Sequence, residues 1–264
     1  MKIGYGLMRS NNPNVSVPMA NTKLKFKRSS LRIKYNEKEK LFSIKDGSKI
    51  HFFGNLVRGY SLYGKGLARR ASMLFNSYLL NNISFNSRDY VVDCGANYGD
   101  LWLSLDGKIE TSCYITFEPG DLEYEAIKMN APNGIHNKLG LSNKNEVVRF
   151  YVNEQDADSS IVKPVNFSHV VDVETITLSE YLKIQKIEKI KLFKVEAEGF
   201  EPEILEGASE VLDYIDYIAV DGGYERGEDS EETLSSICNL LLQNNFEMIS
   251  INFQWCRALF SRKT

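Results

Sequence analysis

Tyr90–Asp100 reads Y-V-V-D-C-G-A-N-Y-G-D, and the order of residue types in it sets the fold. Tyr90, Val91 and Val92 form a short apolar run of good strand formers. Asp93 places an acid where that run ends. Gly95, Asn97 and Gly99 then bring three turn formers into five residues. Leu101, Trp102, Leu103 and Leu105 follow as the start of a packed helix. A strand, a glycine turn and a helix start together bind the polar part of a nucleotide-like ligand. Glycine lets the backbone come close, and the helix N-terminus offers free N–H groups.

The spacing narrows the ligand. A dinucleotide site needs G-x-G-x-x-G after the strand, because those glycines admit a pyrophosphate. Here the pattern is D-x-G-x-N-x-G, with a carboxylate at the strand end. Like charge disfavours a phosphate beside that acid. A ligand with an ammonium group suits it. S-adenosylmethionine (SAM) carries one, together with a sulfonium and no phosphate. Tyr114–Phe117 reads as the next strand, and Glu118 follows at its tip, 25 residues after Asp93. An acid there is placed to bind ribose hydroxyls in doubly wound folds.

Three motifs in order extend the reading. They are V-V-D-C-G-A-N-Y-G, then F-E-P at Phe117–Pro119, then K-V-E-A-E-G-F-E-P-E-I-L-E-G-A at Lys194–Ala208. With them the sequence resembles the FkbM-type SAM-dependent methyltransferases over about residues 85 to 225. The resemblance implies an α/β, Rossmann-like class I methyltransferase acting on a hydroxyl. Its sheet would be mainly parallel and seven-stranded; period-two alternation in the chain adds a β-hairpin insert and a small N-terminal β-rich extension. Two positions depart from the family pattern: Glu196 stands where Asp is usual, and Ser179 where Asp is frequent.

Asp93, Gly95, Asn97, Gly99 and Glu118 are the candidates for holding SAM, and Leu139, between Lys138 and Gly140, would pass near the adenine. An alkyl hydroxyl is a weak nucleophile at neutral pH, so a general base is worth ~10² to 10⁴ in rate. His51 and His136 read as structural, and His169 is a weak candidate. The strand-end acids are better placed. Glu196 is the first choice, either as base or as partner of the methionine ammonium. Glu198 is the second, with helix capping as its competing role. Asp221 and Glu225 could hold the acceptor or a divalent metal, although no clear metal-ligand spacing is present. Tyr60, Tyr63 and Arg70 precede the first core strand and are candidates for lid contacts.

At 264 residues the chain is long enough for one α/β domain with an appendage. The division expected is a flexible tail over 1–22, a β meander with a helix over 23–84, and the SAM-binding domain over 85–264. The net charge of −3 hides an asymmetry: residues 21 to 70 hold fourteen Lys/Arg against three Asp/Glu. That basic stretch is a solvated face, or it attracts an anionic acceptor or surface. Cys94, Cys113, Cys238 and Cys256 are widely separated, which argues against a zinc site. No apolar run reaches the ~18 residues needed to span a membrane, and the N-terminus lacks a hydrophobic signal core. A cytoplasmic location is expected.

Beyond the motifs, strands are expected at 135–141, 146–152, 169–176, 190–195 and 214–220, and a closing hairpin at 246–253 and 255–260. The pair 146–152 and 169–176 should form the insert. Gln155–Ser160 reads as a polar loop. Helices are expected at 67–80, 99–106, 121–130 and 230–243, with Gly59–Gly66 flexible. The acceptor would be a sugar, a glycan or a related metabolite. Two rivals remain: a nicotinamide-dependent oxidoreductase, and a SAM-binding module without catalysis that docks on an anionic partner. A nucleic-acid partner is not expected, because the Asn/Asp-Pro-Pro-aromatic tetrad of flipped-base amino methylation is missing.

Overall fold

The computed structural model describes residues 8–10, 12–153 and 159–263. Arg32–Asn36 (β1), Leu41–Asp46 (β2) and Lys49–Phe53 (β3) form an antiparallel meander. Val91–Cys94 (β4), Tyr114–Phe117 (β5) and Ile135–Asn137 (β6) pair in parallel and open the main sheet. Gly140–Leu141 (β7), Val147–Val152 (β8) and His169–Ile176 (β9) make a separate small sheet. Ile190–Val195 (β10) and Ile215–Asp221 (β11) return to the main sheet, followed by the short pair Tyr224–Arg226 (β12) and Glu231–Glu232 (β13). Phe246–Asn252 (β14) and Arg257–Arg262 (β15) close it.

The main sheet runs β14-β15-β11-β10-β4-β5-β6. Only β15 is antiparallel to its neighbours; every other pair in the sheet is parallel. This is the mainly parallel seven-stranded arrangement implied by the motifs. β4 and β5 are buried at every residue, as expected for central strands covered on both faces. The chain reverses strand order between β4 and β10, and ligands bind at such a switch point, outside the carboxyl ends of the strands.

The N-terminal part differs from the sequence reading. Residues 13–26 form a helix, Pro13–Phe26, where a loose tail and then a strand were expected. Asn12 caps it through a bond from Asn14 N, and Pro13 occupies the first turn, where its missing N–H costs nothing. Ser16, Ala20 and Leu24 recur every four residues and form its buried stripe. The alternation of Leu24 with Phe26 misleads, since Phe26 is 85% exposed. The Asn21 side chain both donates to and accepts from the Ile33 backbone at 2.8 Å, which pins this helix to β1. Residues 1–7 lie outside the described residues.

Gly59–Gly66 is mostly helical rather than flexible: Leu56–Tyr63 is a helix capped by Asn55. Gly59 is required there, because a Cβ would come within 2.2 Å of the Phe53 ring. The following helix ends at Ser77, and the one after the glycine loop shrinks to Trp102–Leu105. The strand expected over 135–141 breaks in two, and β7 leaves the main sheet to pair with β9. The hairpin insert forms as expected, in register from Val147 opposite Glu174 to Val152 opposite His169. Within the expected polar loop, residues 155–158 lie outside the described residues.

Candidate functional site

A cavity of about 1160 Å³ opens at the carboxyl ends of β4, β5 and β10. Asp93, Gly95, Asn97, Glu118, Glu196 and Glu198 border it. The insert supplies an apolar wall with Phe150 and Val173; Tyr78 and Trp255 close the far side. Such a volume exceeds the usual ~300–1,000 Å³ of a single-ligand pocket.

The glycine loop explains its own sequence. Gly95 has φ +67, and a Cβ on it would lie 1.8 Å from the Glu196 carbonyl oxygen. Only glycine lets the end of β10 pass this close. Asn97 and Gly99 also hold left-handed backbone, at φ 51 and 75. Gly99 sits behind the loop against Ile127 and does not border the cavity. Glu118 accepts from Asn97 N at 2.8 Å and from Gly120 N at 3.0 Å, one bond to each oxygen. Each oxygen keeps lone-pair capacity for a ribose hydroxyl. Burial and the nearby Glu123 push its carboxyl up to about 8, against those two N–H bonds. A carboxyl in that range can donate to a diol as well as accept from it.

Asp93 borders the cavity yet is wholly buried, with both oxygens engaged. Tyr114 Oη donates to Oδ2 at 2.5 Å, and Lys194 Nζ lies 3.0 Å from Oδ1. Lys194 faces Asp93 across the β10–β4 pairing. Its ammonium also donates to the carbonyls of Cys94 and Gly95, at 3.0 and 2.8 Å, and meets Glu196 at 3.0 Å. Burial works against that ammonium, but Asp93 and Glu196 outweigh it and raise its pKa. Asp93 therefore anchors the loop from beneath.

Glu196 does not have the environment of a base. Besides Lys194 it meets Arg257 at 2.9 Å. Burial alone would raise its carboxyl, but Lys194 and Arg257 hold it well below the usual carboxylate range. Arg257 lies opposite Asp221 in the β11–β15 register, meets it at 2.7 Å, donates to Ser77 Oγ at 2.7 Å, and stacks 4.0 Å from the Tyr78 ring centre. Asp221 is thus engaged behind the site and does not border the cavity.

Glu198 borders the cavity with left-handed backbone, φ 51. Glu201 takes the N–H groups of Ala197 and Gly199, on either side of Glu198, at 2.8 and 3.1 Å. Glu225 interacts with the Glu198 side chain. Partial desolvation and the charges of Asp221, Glu196 and Glu201 push the Glu225 carboxyl up to about 7.

Two other expectations are displaced. Leu139 packs into the main core, and its neighbours Lys138 and Gly140 border the cavity in its stead. Tyr63 is fully buried; its hydroxyl donates to Asp100 at 2.5 Å, so it is no substrate contact. Ser179 donates to the Gly207 carbonyl at 2.8 Å and leaves the site untouched. Sequence reasoning passed over Lys194 and Arg257. The first sat inside a quoted motif; the second had no local signal. Among the described residues no group of three His, Cys, Asp or Glu is gathered to hold a metal.

The FkbM methyltransferase domain model matches residues 93–248, more than half of the chain. The chain belongs to the FkbM methyltransferase family. It is 25% identical over 165 residues to Methyltransferase 1 of Beauveria bassiana (strain ARSEF 2860), covering 52% of this chain and 66% of that protein. Among solved structures it matches methyltransferase FkbM from Methylobacillus flagellatus KT at 17% identity and TM-score 0.47, over 72% of this chain and 47% of that one. It also matches M. jannaschii TYW2 in complex with AdoMet at 11% identity and TM-score 0.41, over 89% and 95%. The chain thus spans less than two thirds of the first two relatives' lengths. The FkbM match begins at Asp93 and ends before Arg257, so two walls of the cavity lie outside it.

Proposed function

We propose that this FkbM-family methyltransferase is SAM-dependent and transfers a methyl group to a hydroxyl of a sugar, a glycan or a related metabolite. Family membership supports methyl transfer. The loop at Gly95 and the paired N–H groups under Glu118 fit an adenosyl ligand. Bound SAM supplies a methyl already activated by its sulfonium. The chain must then align the acceptor oxygen about 3 Å from that carbon and remove its proton.

The observation that carries the acceptor chemistry is Glu198 on the cavity wall, linked to Glu225, whose carboxyl is pushed up to about 7. The Glu225 carboxyl, pushed up to about 7, can take a hydroxyl proton passed on through Glu198, whereas Glu196 is held too acidic by its two cations. Trp255, 45% exposed on the cavity wall, offers a flat face to the C–H side of a sugar ring. The basic surface of the N-terminal extension favours an anionic acceptor such as a sugar nucleotide. Among the described residues no helix is long and apolar enough to cross a membrane. A cytoplasmic setting, where SAM is made, belongs to the same proposal.

The test is transfer of a labelled methyl from SAM to a panel of sugar nucleotides and oligosaccharides. Glu198→Gln is expected to lower turnover about 10²-fold or more, with SAM binding unchanged. Methyl recovered on nitrogen, or full activity in Glu198→Gln, would refute the assignment. Binding of NAD in place of SAM would favour an oxidoreductase.

A further inference from the structure

The extension preceding β4 lies outside the stretch matched to the family, yet it sets a cation into the cavity wall. Arg70, on the helix Leu67–Ser77, borders the cavity with its side chain 13% exposed. Its Nε and Nη2 both donate to Asp100 Oδ2, at 2.8 and 2.5 Å. Asp100 directly follows Gly99 of the glycine loop. The other Asp100 oxygen meets His51 Nε2 at 3.0 Å and Tyr63 Oη at 2.5 Å. Three elements of the extension therefore converge on one carboxylate of the loop, and the guanidinium is fixed along one edge.

The opposite edge is left available: Arg70 Nη1 donates to none of the described residues. A guanidinium carries five N–H donors in a rigid fork and suits a second carboxylate. The other Lys and Arg side chains around the cavity are engaged. Lys194 lies between Asp93 and Glu196, Arg257 between Glu196 and Asp221, Lys138 meets Asp121 at 2.5 Å, and Arg58 sits 6.0 Å over the Tyr98 ring. A zwitterionic amino-acid group beside this loop needs one cation, and Arg70 is the one already held next to it.

We propose that Arg70 binds the carboxylate of SAM's methionine portion, with Asp100 holding the guanidinium in place. This rests on the SAM reading above. It makes the extension a part of the cofactor site.

The test is calorimetric titration of the full chain with SAM and with decarboxylated SAM, which keeps the ammonium and sulfonium and lacks only the carboxylate. The wild type is expected to prefer SAM by about tenfold or more, the range of a charge-assisted hydrogen bond. Arg70→Gln should weaken SAM roughly ten- to a hundredfold and leave decarboxylated SAM unchanged or slightly tighter. Arg70→Lys keeps the charge beside Asp100 and should fall between. Unchanged SAM affinity in Arg70→Gln, or equal weakening of both ligands in both variants, overturns the assignment. If the wild type binds neither ligand, the SAM reading itself has failed, and the role of Arg70 falls with it.

Discussion

Replacing Lys194 by Met tests whether the buried ammonium holds the glycine loop. Met fills similar space, so the change removes charge and donors more than volume. Removing one partner of a buried ion pair costs about 3–5 kcal/mol, because the other charge is left uncompensated. Arg257 stays with Glu196, so Asp93 is the carboxylate left without a cation, keeping only its bond from Tyr114. The lost bonds to the Cys94 and Gly95 carbonyls add about 1 kcal/mol each, for a total of about 5–7 kcal/mol. That is a large part of the ~5–15 kcal/mol of an ordinary domain. The assay is guanidinium unfolding followed by circular dichroism at pH 8 and pH 5. Burial already raises the Asp93 carboxyl, with Lys194 and Tyr114 pulling it back. Without Lys194 its folded pKa climbs further above the unfolded one. The fold then binds the proton more tightly than the unfolded chain, so the penalty is greatest at high pH and shrinks as pH falls. Asp93→Asn added to Lys194→Met should restore about 2–3 kcal/mol by removing the orphaned charge. A deficit under about 1 kcal/mol, a gap that does not narrow on acidification, or no rescue by Asp93→Asn would refute the reasoning.

Gly95→Ala should reduce SAM affinity more than a hundredfold in titration, because the new methyl meets the Glu196 carbonyl at 1.8 Å and φ is positive. Glu118→Gln turns an amide NH₂ towards one of two backbone N–H groups, at Asn97 or Gly120. Binding of 5′-methylthioadenosine should weaken about tenfold or more, while a Glu206→Gln surface control stays unchanged. In the pH profile of kcat, turnover should rise through about pH 7 as Glu225, linked to Glu198, loses its proton. Glu225→Gln should move that limb, and a profile flat from pH 6 to 9 would exclude the pair as base.

The glycine loop, the hairpin insert and the antiparallel close of the sheet were legible because each is encoded locally. Turn residues, period-two alternation and continuous apolar runs report on neighbours a few positions away. The helix Pro13–Phe26 was not, because its buried stripe is Ser16, Ala20 and Leu24, too small and polar to register as amphipathic. In the site, Asp93, Gly95 and Glu118 follow from one strand–turn–helix and from the next strand's tip. The counter-ions do not. Lys194 looks like a solvent-facing strand residue until β4 sets Asp93 beside it. Arg257 finds Asp221 only through the register of β15 on β11. The acidity of Glu196 was hidden for the same reason: it is set by cations that its own segment does not reveal. Tyr63 was read as a lid residue, but its hydroxyl points inward to Asp100, a residue 37 positions on.

The bond from Arg257 to Ser77 joins residues 180 positions apart, and Arg257 follows Glu196 by 61. A ribosome therefore finishes the glycine loop and both of Glu196's neighbouring strands well before it makes the guanidinium that neutralises Glu196 and Asp221. Until the last strand emerges, the nascent site carries two acids without that cation beside them. A chain cut short before Arg257 would lack β15 and, with it, the guanidinium that pairs with Glu196 and Asp221.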